Sequence, residues 1–133
     1  MKEKWSRWVP IENLVGKYDI KHIRHDMNSC EILLTNYHNK QENMRVTFDK
    51  YPLSFKVCNE SLRVADINYL SDTYGDEFYV DWNFFKIIDS LYVQALSNQS
   101  YGFFKEEYFT HFVFMDADTI LDVVATDEPK IEI

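Results

Sequence analysis

Apolar residues alternate with polar ones through most of the chain, at the two-residue period of half-buried strands. Lys17 to Arg24 sets Tyr18, Ile20 and His22 against Lys17, Asp19 and Lys21, with Ile23 out of phase, and predicts a first strand. Asp26 to Ser29 forms a turn, Cys30 to Tyr37 a second strand, and Met44 to Phe48 a third with Met44, Val46 and Phe48 on one face. Leu53 to Cys58 follows beyond Tyr51-Pro52 as a fourth, with Leu53, Phe55 and Val57 together. Phe78 to Ile88 is rich in aromatic and β-branched residues and reads as a fifth. The closing stretch, Thr110 to Ile133, predicts a hairpin at the sheet's centre. His111, Val113 and Met115 alternate with Phe112 and Phe114, Asp116 to Thr119 turns, and Ile120 to Ala125 is apolar on both faces apart from Asp122.

Helical spacing is confined to fewer places. Asp89 or Ser90 caps a helix over about 90–99, with Leu91, Tyr92, Ala95, Leu96 and Gln99 on one side. A short N-terminal helix is expected from Ile11 to Val15, opened by Pro10 and closed by Gly16. Leu62 to Leu70 fits either periodicity. Its β-branched residues tip the reading to strand, with Ser71 to Glu77 a loop. The predicted fold is α+β: a mainly antiparallel sheet of about six to eight strands, one principal helix packed across it, and the short N-terminal helix.

The length of 133 residues suits one domain spanning the chain, and 46% hydrophobic residues offset the entropy of ordering it. The formal net charge of −8 opposes binding to phosphate backbones and favours a basic protein partner. Two cysteines at no zinc or redox spacing read as packed thiols. The N-terminus carries no secretory pattern and no window reaches the length of a membrane span, so the expected location is the cytoplasm.

Candidate chemistry is sparse. Cys58 and His111 could form a nucleophile and base with Glu60 orienting, yet no protease-like signature surrounds Cys58. His22, His25 and Asp26 suggest a metal, but residues three apart on a strand face opposite sides. Asp116, Asp118 and Asp122 lack the glycine and terminal glutamate of a calcium loop. The expectation is a non-enzymatic protein without cofactor or metal. More telling is Asp72 to Trp82, where Asp72, Asp76, Glu77 and Asp81 interleave with Tyr74, Phe78, Tyr79 and Trp82. Acids beside large rings suit an interface, with Asp72, Asp76, Glu77 and Asp81 steering a basic partner and Tyr74 and Tyr79 anchoring it. Against this stands an arrangement with rings inward and acids as a solvated rim. Glu106, Glu107 and Tyr108 could extend the same face.

The whole chain resembles small immunity proteins encoded beside bacterial polymorphic or contact-dependent toxins. The likeness lies in an early tryptophan before short strands, the Asn59-Glu60-Ser61 corner, and an aromatic strand running into Asp89-Ser90-Leu91-Tyr92. It continues in His111-Phe112-Val113-Phe114 with its Ile120 to Ala125 return and Pro129. The resemblance implies an α+β protein that binds and neutralises a cognate toxin, often a cationic nuclease, in the cytoplasm. It carries over no contact residue by position, and gives Asn59, Glu60 and His111 structural roles. The alternative class is a small-ligand-binding α+β domain with an aromatic pocket.

Overall fold

The computed structural model describes residues 3–14, 16–27 and 29–133. The described residues form nine strands and three helices, in two antiparallel sheets rather than one. The larger sheet has the order β1-β6-β7-β8-β5, from β1 (Lys4–Arg7), β5 (Leu53–Asn59), β6 (Phe84–Ile88), β7 (Thr110–Met115) and β8 (Thr119–Ala125). The smaller has the order β2-β3-β4-β9, from β2 (Tyr18–His25), β3 (Cys30–Asn36), β4 (Asn43–Phe48) and β9 (Lys130–Glu132). The helices are α1 (Val64–Tyr74), α2 (Glu77–Val80) and α3 (Leu91–Gln99), with a 3-10 turn at Glu60–Arg63 leading into α1.

The expected central hairpin is present, and β7 is the middle strand of its sheet. Asp116 makes the reversal without glycine. One carboxylate oxygen accepts from the amides of Asp118 (2.9 Å) and Thr119 (2.8 Å). Its other oxygen accepts from Ile20 N at 2.9 Å, so the same side chain ties the hairpin to β2 in the other sheet. Asn83 makes a second tie. Its Oδ1 accepts from Tyr18 N at 2.6 Å and its Nδ2 donates to Met115 O at 2.7 Å.

Strand alternation divides the rings of β7 between two layers. Phe112 and Phe114 face the smaller sheet with Phe84, Leu121 and Val123, meeting Ile32, Leu34, Met44, Val46 and Phe48. Val113, Met115, Phe85, Ile87 and Ile120 face outward under Leu70 and Ile67 of α1. Trp8 lies over Phe112 and Phe114 at ring separations of 5.0 and 5.9 Å, closing the inter-sheet core, while Trp5 packs against Phe85 on the outer side. No helix among the described residues is long and apolar enough to cross a membrane.

Several expectations change. The predicted N-terminal helix does not form among the described residues of 10–14, and its predicted end, Val15, lies outside them, as does Asn28 of the first turn. Asn13 adopts φ 61, a left-handed value that does not propagate a helix, while Ile11 and Leu14 still pack on the inter-sheet core. Ile23 is out of phase because the β2–β3 register shifts between Ile20 and His22. The bulge returns Ile23 to the core side. The fourth strand, β5, joins the larger sheet beside β8, leaving Val57 46% exposed. Leu62 to Leu70 is the turn and α1, not a strand, and the helix runs on through most of the expected loop to Gly75. Burial of Ile67 and Leu70 against the sheet overrides the β-branched signal. The aromatic run from Phe78 is α2 followed by β6, so only its second half is a strand.

The principal helix is as expected in place, with Ser90 accepting from Val93 N at 3.0 Å as its cap. Its orientation is different. Val93 and Ser97 are the buried positions, and Leu91 and Ala95 face solvent. Phe114 is the best probe of the inter-sheet core, touching Trp8, Phe48 and Phe84. Phe114→Ala should lower unfolding free energy by about 3–5 kcal/mol in urea titration; a change under about 1 kcal/mol would mean the layer is not the main stabilising contact.

Candidate functional site

Asp122 is the one acid in the apolar return strand β8, and its side chain is fully buried on the outer face of the larger sheet. An isolated carboxylate there would be costly, so partners must reach it. His111 Nε2 lies 2.7 Å from Asp122 Oδ1, and the guanidinium of Arg63 donates to Oδ2. Arg63 also donates through Nε to Asp66 at 2.7 Å. On the other side of the imidazole, His111 Nδ1 lies 2.6 Å from Ser90 Oγ. The carboxylate can only accept, so Nε2 carries its hydrogen; in the neutral ring Nδ1 then accepts the Ser90 hydroxyl proton. Burial alone would push the Asp122 carboxyl up. The hydrogen bond from His111 and the charge of Arg63 outweigh it and hold the group below the usual carboxylate range.

The line Ser90–His111–Asp122 has the order of an acyl-transfer relay, but its nucleophile is closed off. Ser90 is 4% exposed, and its oxygen already accepts from Val93 N. The neighbouring amide, Leu91 N, donates to the Glu3 carboxylate at 2.8 Å. What the arrangement does is fasten elements. It joins the cap of α3, the centre of the sheet and the turn leading into α1 through one buried acid. The pairing of Cys58 with His111 that the sequence left open does not form: both ring nitrogens are engaged elsewhere, Cys58 pairs in register with Ile120, and Glu60 N donates to Asp118 O. The sequence signal for the true partners is Asp122 itself, an acid in a strand otherwise apolar on both faces.

The remaining polar candidates are dispersed. His22 lies 3.9 Å from Glu31, and the His25 ring lies 5.1 Å from Phe55. Among the described residues no three His, Cys, Asp or Glu side chains converge as a metal centre requires. Asp116 is engaged by backbone amides and Asp122 by Arg63 and His111, so the three hairpin aspartates do not point to one centre. Cys30 is fully buried, and burial pushes its thiol up to about 11; Cys58 is partly exposed, and both are free.

The stretch from Asp72 to Trp82 forms the corner between α1 and α2. Asp72, Asp76, Glu77 and Asp81 all reach solvent there. The rings beside them are tied into the fold. Tyr74 stacks on Phe78 at 4.4 Å and its hydroxyl accepts from Trp5 N at 3.0 Å. Tyr79 is half-buried, its hydroxyl 2.6 Å from Ser71 Oγ and 3.5 Å from Asp76. Phe78 and Trp82 belong to the core. Arg7 crosses the corner, donating to the carbonyls of Glu77 and Phe78. Glu106 and Glu107 do not extend this face. They rim a cleft with Thr110 and His111 at the start of β7, whereas Tyr79 and Val80 meet Met115 and Asp116 at its end.

No family model, no curated protein and no solved structure matches the chain.

Two outcomes follow from this geometry. Asp122 has a folded pKa below its unfolded value, so its ionised form stabilises the fold above the ordinary carboxylate range near about pH 4, and that contribution is lost as pH falls through the folded value. Asp122→Asn should cost roughly 3 kcal/mol at pH 7, with the gap to the parent narrowing as the pH drops below about 4 in urea titrations at stepped pH. A thiol reagent applied to folded protein should modify Cys58 and spare Cys30, the second equivalent appearing only on denaturation; two equivalents from native protein would contradict the burial described.

Proposed function

We propose that the protein is a stoichiometric inhibitor of the immunity type, which binds and neutralises a basic bacterial toxin in the cytoplasm. Nucleases are the natural candidates for that toxin, because a site built to attract phosphates is positively charged and an acidic surface can occupy it. The observation that carries this reading is the α1–α2 corner, where four carboxylates within ten residues are all exposed on a chain of net charge −8. Tyr74, 36% exposed and backed by its stack on Phe78, adds a rigid contact beside them. Catalysis is no part of the reading, since the serine–histidine–aspartate line found among the described residues is taken up in joining helices to the sheet. The ligand-pocket alternative has less behind it. The rings that would line such a pocket pack against one another between the sheets.

The test takes the product of the gene directly upstream, which this reading expects to be a large secreted protein with a toxic C-terminal domain. Converting Asp76 and Glu77 together to lysine should slow association with that domain on the order of tenfold at low salt and flatten its salt dependence. Stopped-flow traces identical to the parent's would remove the corner from the interface; no complex at all would remove the inhibitor reading.

A further inference from the structure

The rings most open to solvent are not those of the α1–α2 corner. Tyr101 is 99% exposed, Phe103 77% and Tyr108 50%, within eight consecutive positions. Isolated apolar residues on a surface need no explanation, but three large rings so exposed within one short loop set it apart.

The loop is also firmly held. Gly102 N donates to Ser97 O at 2.9 Å and Phe103 N to Ser100 O at 3.0 Å. Ser100 Oγ donates to Ser97 O at 2.8 Å and accepts from Phe104 N at 3.1 Å. Phe104 turns inward, sharing a recess with Leu96, Phe109 and Val124. Its neighbours Tyr101 and Phe103 are thereby left projecting. Tyr101 sits at φ 54, a left-handed value unusual for a residue with a side chain, and Gly102 follows at φ 75. A ring presented on a pre-ordered backbone loses little further freedom on binding, which favours its use as an anchor.

Charge defines the partner. Glu106 and Glu107 are exposed just beyond the exposed Lys105 and, with Asp89, outnumber it; the two glutamates rim a cleft of about 340 Å³, which Asp89 and the exposed Ile88 also line. Lys86, a cation of the same cleft, is already paired with Glu128 at 3.0 Å. An apolar prow beside acids fits a basic surface with an apolar recess, and an acidic rim opposes approach to phosphate or to anionic lipid.

We propose that Tyr101 and Phe103, with Glu106 and Glu107, form a docking surface for a cationic protein, the rings seating in an apolar recess and the carboxylates receiving a lysine or arginine beside it. The proposal rests on the inhibitor reading for the partner's charge, but it places the contact at the other end of β7 from the α1–α2 corner, about 17 Å away along the strand. The two surfaces can therefore be scored separately.

The test is an amide-resolved NMR titration with two synthetic probes, a 14-residue amphipathic helix of leucine and lysine, and octalysine. The leucine–lysine helix should shift amides of 101–108 and bind at least tenfold more weakly to the double variant Tyr101→Ser, Phe103→Ser. Octalysine should bind the parent more weakly than the helix does, and lose what binding it has in Glu106→Lys, Glu107→Lys. Thermal melts of both variants check that these exposed changes leave the fold intact. Shifts confined to 72–81 would overturn the loop surface and leave the corner standing, as would equal affinity for the ring-deleted variant. Absence of shifts anywhere overturns it as well. Broadening of 101–108 with protein concentration alone would assign the rings to a second copy of the chain and overturn the proposal too.

Discussion

A fully buried carboxylate on the central sheet is the constraint around which the outer half of the molecule is arranged. Asp122 cannot be solvated, and the three groups that satisfy it directly or at one remove come from different elements. Arg63 fixes where the turn into α1 meets the sheet. His111 carries the connection to Ser90 and so to the first turn of α3. A polar network of this kind rigidifies when every member is satisfied and is costly when one is missing. Among the described residues no buried side-chain nitrogen or oxygen lacks a partner. The position of both longer helices over β7 and β8 thus depends on one residue in the middle of an apolar run.

The inner half rests on a different principle. Between the sheets, Phe48, Phe84, Phe112, Phe114 and Trp8 meet edge to face or tilted, with ring separations of 5.0 to 6.3 Å. Such contacts tolerate some sliding, since ring packing has several favourable offsets. Two side chains remove that freedom. Asn83 and Asp116 each bond the backbone of β2 while holding the end of β7 or its turn, so the sheets are located by polar ties at one end and filled by rings along their length.

Much of this order is legible along the chain. The closing hairpin, its aspartate turn, the β2–β3–β4 meander and the serine cap of α3 follow from alternation and capping chemistry, which act over a few residues. Features that depend on distant partners are not legible in that way. Nothing near Leu53 says that β5 will leave the meander to pair with β8, and nothing near Leu62 says that Leu70 will find Phe85 and Ile87 beneath it. The rotation of α3 has the same origin: Val93 is buried because its cap is bound to His111, a contact across 21 positions. For the site, residues 72–81 hold their acids in solvent as their composition suggests. The inward bonds of Tyr74 and Tyr79, by contrast, involve Trp5 and Ser71 and could not be read from the stretch itself.

The placement of the three tryptophans sets what the molecule can report optically. Trp8 caps the inter-sheet rings, Trp5 lies on Phe85, and Trp82 donates its indole N–H to the carbonyl of Trp8 at 3.1 Å. Trp5 and Trp8 are buried and Trp82 is half-buried against both cores, while the loop from Tyr101 to Tyr108 carries none. Intrinsic indole emission is therefore chiefly a gauge of whether the layers are assembled, since only tyrosine and phenylalanine chromophores stand at that loop.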